Sequence, residues 1–150
     1  MADIVSSEQR SRNMAAIRSK DTGPEVFFRK LLFAEGFRYR TQEKSVPGHP
    51  DIFLRKYNTA IFIHGCYWHR HSGCKYAYLP KSRVEFWEKK FSDNLQRDAI
   101  VKEELSKQKI RQLIVWECTI KNMQRNQEIT DTIIEQSVQF LLSDLTYLEL

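Results

Sequence analysis

The chain has 150 residues, 41% of them hydrophobic and 29% charged, a balance that argues for a single soluble globular domain. Its 24 Lys and Arg outnumber its 19 Asp and Glu, and the resulting net charge of +5 favours a polyanionic partner, with nucleic acid first. Three cysteines are too few for a disulfide framework, residues 1–12 are too polar for a signal peptide, and no apolar run nears the ~18 residues of a membrane span. A soluble, cytoplasmic protein of a reducing compartment, with no membrane association, is therefore expected.

In chain order, residues 1–22 carry Arg10, Arg12, Arg18 and Lys20 among small and polar residues and read as a basic arm. Pro24 suits the first turn of a helix capped by Thr22 or Gly23, with Phe27, Phe28, Leu31 and Leu32 as its apolar stripe and Gly36 as its stop. Phe37 to Thr41 alternates as a strand does, Val46 to Pro50 is a turn, Asp51 to Leu54 and Ala60 to Ile63 are short strands, and Tyr57-Asn58 marks the hairpin between them. Residues 64–80 are too irregular for a regular element. The Ser82 and Glu85 pair predicts a capping box that opens a helix running to about Lys107. Leu113 to Trp116 is a fourth strand, and Ile133, Ile134, Val138, Leu141 and Leu142 mark a closing helix capped near Thr130. Helix, three strands, helix, strand, helix is the order of an α/β fold with a central mixed sheet flanked by helices.

The irregular stretch holds Cys66, His69, His71 and Cys74, and Cys118 follows the fourth strand. Three thiolates and one imidazole make a closed tetrahedral zinc site, which would tie a loop of low apolar content to the sheet. The spacing leaves both His69 and His71 able to supply the nitrogen. Tyr67, Trp68, Tyr76, Tyr78, Phe86 and Trp87 crowd the same region beside Arg70, Lys75, Lys81 and Arg83, a pattern that suits stacking on bases with phosphate contacts. Packing around the metal and into the core explains the same aromatics equally well.

Asp51 opens one strand and His64 ends the next, so adjacent strand ends bring them together. A carboxylate there suits Mg²⁺, which takes one or two carboxylates plus water and phosphate, and His69 suits a general base. Glu25 sits in the first helical turn, where it would also complement the helix dipole. Asp98 falls on the face that carries Phe91, Leu95 and Leu105, and a carboxylate on an apolar stripe needs a partner, a buried basic group being the structural choice.

Several blocks resemble the very short patch repair (Vsr) endonuclease family. They are Arg10-Ser11-Arg12-Asn13-Met14 with Ala16-Ile17, Pro47-Gly48-His49-Pro50-Asp51, His64-Gly65-Cys66-Tyr67-Trp68-His69, Glu85-Phe86-Trp87, Asn94, Arg97-Asp98 and Val115-Trp116-Glu117-Cys118. The blocks keep their order across nearly all of residues 8–120. The resemblance implies a restriction-endonuclease-like fold and a Mg²⁺-dependent enzyme that nicks double-stranded DNA 5′ to the T of a T:G mismatch. It implies Mg²⁺ on Asp51 and the main-chain carbonyl of Ile63, His69 as general base, and His64, Glu25 and Asp98 in support. It implies structural Zn²⁺ on Cys66, His71, Cys74 and Cys118, which selects His71 over His69. It implies that Tyr67, Trp68 and Trp87 wedge into DNA from the major groove and Met14 from the minor groove.

The sequence departs from the family pattern at Ile63, where Thr is usual, at Tyr67, where Phe is usual, and by one additional residue between His71 and Cys74. The acidic-x-Lys half of the common nuclease motif is absent after Asp51, as in the family. The expected organisation is an arm over 1–22 and one endonuclease domain over 23–150, working as a monomer in the bacterial cytoplasm, with mismatch-repair proteins as candidate partners. A restriction-type or relaxed-mismatch endonuclease, or a non-catalytic zinc-stabilised DNA-binding module, would share many of these features.

Overall fold

A computed structural model describes residues 21–150. The expected basic arm, with Met14, therefore lies outside the described residues except for Asp21 and Thr22. Helix α1 spans Gly23–Ala34; Thr22 caps it, its hydroxyl accepting from the Glu25 N–H at 3.5 Å, and Pro24 stands in the first turn. The helix ends where Gly36 takes φ +95°, and the Phe37 N–H returns to the Leu32 carbonyl.

Three antiparallel strands follow: β1 (Arg40–Thr41), β2 (Ile52–Leu54) and β3 (Thr59–His64). Strand β1 is shorter than the alternation of residues 37–41 suggested. The hairpin sits as expected, a 3₁₀ turn at Arg55–Tyr57 closing through left-handed Asn58. Helix α2 (Val84–Lys107) crosses over to β4 (Arg111–Trp116), which lies parallel to β3 with His64 level with Trp116.

The capping box does not form: Arg83, at φ 52°, occupies the cap position and no side chain closes it. Two elements appear that the sequence pattern did not show. Helix α3 (Glu117–Arg125) starts directly from β4, and β5 (Tyr147–Glu149) adds parallel to the outer edge of β4. Helix α4 (Gln127–Leu141) lies between them and is capped by Asn126, four residues before the expected cap near Thr130. Arg111 bonds the carbonyls of Phe140, Leu141 and Leu145, closing the α4 C-terminus onto the sheet. The sheet order is β1-β2-β3-β4-β5, a mixed sheet as expected.

Strand alternation divides the core between the two faces. Ile52, Leu54, Ile61, Leu113 and Val115 face Phe28, Leu32, Ile120, Met123, Ile134 and Phe140 of α1, α3 and α4. Phe53, Ala60, Phe62, Ile114 and Trp116 face Val46 and Leu105, with Val101 of α2 packed against them. Burial of each large apolar side chain is worth about 1.5–3 kcal/mol, so both layers hold the sheet. The α2 stripe is narrower than Phe91, Leu95 and Leu105 implied, because Leu95 is exposed. Among the described residues no helix is long and apolar enough to cross a membrane.

Candidate active site and metal centre

The C-terminal ends of β3 and β4 open into a cleft of about 850 Å³ between the sheet and α2. Glu25, Asp51, Ile63, His64, His69, His71 and Asp98 all line it. Residues from α1, the turn before β2, strand β3, the loop after it and α2 thus converge on one space. Glycine at 48 makes the approach possible. It takes φ +80°, and a Cβ there would stand 2.6 Å from Val101 Cγ1. The turn that delivers Asp51 is therefore pressed directly against α2.

Asp51 is held on both oxygens. Its Oδ2 accepts the Ile63 N–H at 2.7 Å, and its Oδ1 accepts from Gln42 Nε2 at 3.4 Å. Burial nonetheless raises its pKa above the ordinary carboxylate value, against the lowering effects of those bonds and of His69. Glu25 is only 5% exposed and its Oε2 accepts the Asp21 N–H at 2.9 Å. Burial first, and then the charge of Asp51, push its pKa up as well. Two carboxylates disfavoured as anions, facing an open cleft, form a donor set suited to a hard divalent cation. Gln42 carries no motif and was not anticipated; it adopts φ 50°, a left-handed backbone outside glycine's usual domain.

The histidines form an ordered array. His69 Nδ1 lies 2.7 Å from Asp98 Oδ2, so the partner of Asp98 is this half-buried imidazole and not a buried Lys or Arg. The His69 ring stacks on His64 with centroids 3.8 Å apart and planes 4° apart. His64 is 6% exposed, and burial, with the adjacent His69, lowers its pKa to about 3. It is therefore neutral near pH 7. Its Nδ1 is buried without a hydrogen-bond partner among the described residues. The loop that returns His69 to His64 turns at Gly65, whose carbonyl accepts the His69 N–H at 3.0 Å.

Cys66, His71, Cys74 and Cys118 converge next to this array, with one ligand atom from each lying within 4.8 Å of the others. Cys118 Sγ and His71 Nδ1 are 3.5 Å apart, and the Cys118 N–H donates to Cys66 Sγ at 3.4 Å. Burial pushes the Cys66 thiol up to about 12, while for Cys74 hydrogen bonds outweigh burial and lower it. Three sulfurs and one nitrogen at this separation fit a tetrahedral Zn²⁺, whose charge would draw off the thiol protons. His71 and Cys74 are joined by a turn in which Gly73 has φ +71° and the Cys74 N–H donates to the His71 carbonyl at 3.3 Å.

Tyr67, Trp68 and Trp87 are half-buried and pack on one another at centroid distances of 5.1–5.9 Å, with Phe91 beneath Tyr67 and Trp87. Arg70 lies 3.9 Å over the Phe91 ring and bonds the carbonyls of Tyr67, Ala77 and Tyr78, which fixes the loop. Asn94 donates to the Trp68 carbonyl at 3.1 Å. The aromatic group is thus a single packed block formed by the loop and α2, and Tyr67 also lines a small cavity with Cys66 of the metal-type cluster.

Known proteins are similar to this chain. The family described as DNA mismatch endonuclease Vsr matches residues 2–75. A type II nicking enzyme, V.NmeAIP of Neisseria meningitidis serogroup A, is 48% identical over 122 residues, 81% of this chain and 86% of the relative. The DNA mismatch endonuclease Vsr of Escherichia coli K12 is 37% identical over 139 residues, 93% of this chain and 86% of the relative. The type II nicking enzyme V.XorIIP of Xanthomonas oryzae is 39% identical over 123 residues, 82% of this chain and 90% of the relative. With its restriction-endonuclease-like α/β sheet, the chain belongs to the Vsr family of DNA mismatch endonucleases.

Proposed function

We propose that the protein is a Mg²⁺-dependent endonuclease that nicks double-stranded DNA 5′ to the T of a T:G mismatch, the first step of very short patch repair at deaminated 5-methylcytosine. The observation that carries this reading is the His64–His69–Asp98 array set beside Asp51 in one cleft. Asp51, with the main-chain carbonyl of Ile63, would hold Mg²⁺. When bound, Mg²⁺ offsets charge on the scissile phosphate and lowers the pKa of a coordinated water.

The chain's own groups handle the proton. A carboxylate only accepts, so the Asp98 contact places a ring proton of His69 on Nδ1. That leaves Nε2 as the free base, directed by the Asp98 contact and by the His64 stack. Neutral His64 supports His69 through the ring stack and adds no positive charge beside it. Glu25 backs Asp51 and strengthens the demand for a cation. Cys66, His71, Cys74 and Cys118 would hold a structural Zn²⁺ that anchors the loop bearing His69.

Selection of the mispair fits the aromatic block. Wedging side chains into a base step costs a few kcal/mol, least at a mismatch. Tyr67, Trp68 and Trp87 would enter from the major groove, and Met14, outside the described residues, from the minor groove. In this reading residues 1–22 are a DNA-contacting arm and 23–150 the endonuclease domain. The enzyme acts as a monomer in the bacterial cytoplasm, with mismatch-repair proteins as candidate partners. The relatives named as nicking enzymes support a cut in one strand. Asp51→Ala is expected to abolish Mg²⁺-dependent nicking while leaving affinity for a T:G duplex unchanged; retained nicking would contradict the role of Asp51.

A further inference from the structure

Trp116 ends β4 where the two clusters meet. Its indole is only 8% exposed. It is stacked on His71 of the Cys₃His group, with centroids 4.1 Å apart and planes 6° apart. It meets His64 edge-on at 5.3 Å and 74°. His64 stacks on His69, and His69 is tied to Asp98. The indole N–H donates to Glu149 Oε1 at 3.0 Å, from the neighbouring strand β5. One packed path therefore runs from Glu149 through Trp116 to His71 on one side and to His64, His69 and Asp98 on the other.

Such a path has mechanical consequences. Rings in van der Waals contact at interior density do not shift independently. The sp³–sp² torsion of a Trp side chain is broad, so an indole is oriented by its neighbours and by whatever its N–H bonds. Here that bond goes to a carboxylate, a stronger acceptor than a neutral oxygen. The orientation of the indole then decides where the His64 ring rests. Through the stack it also decides the direction of the His69 lone pair. Proton transfer depends steeply on that direction.

We propose that Glu149 and Trp116 are positioning residues for the nicking reaction, the Glu149-oriented indole holding the His64–His69 stack in register with the Cys₃His centre. Metal centre and catalytic histidines are then two ends of one unit with a shared wall. This rests on the reading of His69 as the base. Neither Glu149 nor Trp116 touches the reacting atoms in it.

Glu149 is exposed, so its truncation leaves both core layers intact. The test uses full-length, zinc-loaded protein and single-turnover nicking of a T:G duplex. Glu149→Ala is expected to slow the nicking step by about 10- to 100-fold. Duplex affinity, zinc content and thermal midpoint should match the parent. Glu149→Gln keeps an acceptor oxygen and is expected to restore most of the rate, which a purely electrostatic role would not produce. The His64 ring-proton resonances, shifted by the adjacent indole, should move in Glu149→Ala and return in Glu149→Gln. A parental rate and parental His64 resonances in Glu149→Ala would overturn the proposal, as would a Glu149→Gln variant as slow as Glu149→Ala. His69→Ala, measured alongside, separates the two readings. If it is inactive while Glu149→Ala is unimpaired, only the positioning role fails; if it nicks at the parental rate, the assignment of the base fails.

Discussion

Gly48→Ala tests whether α2 and the turn before Asp51 form one packed unit. Two costs add. An L residue at φ +80° is in left-handed backbone, at about 1–2 kcal/mol. The new Cβ would stand 2.6 Å from Val101 Cγ1 and 3.0 Å from Phe62 Cε1, and overpacking of this kind costs about 1–3 kcal/mol. Val101 is β-branched and stiff at χ1, so it cannot swing aside freely. The sum is about 2–5 kcal/mol, a large part of the roughly 5–15 kcal/mol that holds a domain together. Urea unfolding should show a lower midpoint at unchanged slope. Adding Val101→Ala removes the closest clash and not the backbone cost, so the pair should couple favourably by about 1–3 kcal/mol. Nicking should fall too, because Val101 lies one turn beyond Asp98 on α2 and a displaced helix carries Asp98 away from Asp51. Parental stability in Gly48→Ala, or a penalty that Val101→Ala leaves untouched, would refute this packing.

Glu25→Gln should trade activity for stability. The Glu25 carboxyl is held above its ordinary 4.5, so ionising it is harder in the folded chain than in the unfolded one. It therefore costs no stability below about 4.5, and an increasing amount as pH rises through the raised folded value. In Mg²⁺-free buffer at pH 7 the variant should melt higher than the parent, and with Mg²⁺ present it should nick more slowly; the difference in melting should vanish near pH 4, and an equal or lower midpoint at pH 7 contradicts the sign. Protein purified under reducing conditions should carry about one zinc ion per chain. A strong chelator should release it and lower the thermal midpoint, and Cys74→Ser should not hold it; zinc-free parental protein, or a midpoint indifferent to chelation, would contradict the Cys₃His centre.

Much of this architecture was legible because local signals agreed with the tertiary outcome. Thr22 and Pro24 place the start of α1, and the apolar runs 60–63 and 113–116 mark the two central strands. The Cys and His spacing pointed to a metal site, and a strand-end Asp beside a strand-end His pointed to the cleft. Helix α3 was invisible because only Ile120 and Met123 are buried on it, and no side chain caps it. Strand β5 has three residues and exists only through its pairing with β4, a tertiary effect that local composition does not carry. The Ser82 and Glu85 pattern misled because Arg83 enters α2 from a left-handed conformation. The face-to-face stack of His64 on His69 depends on the fold of the loop through Gly65 and has no periodic signature. Gln42, Trp116 and Glu149 likewise gain their roles only from what the strands bring beside them.

The central claim is tested most directly by a nicking gel on duplexes with a single T:G mispair, beside matched T:A and C:G duplexes, with and without Mg²⁺. The expected result is one cut, 5′ to the mispaired T, in the T strand of the T:G duplex alone and only with Mg²⁺. Equal cutting of all three duplexes, or cutting of the T:G duplex without a divalent cation, would contradict it.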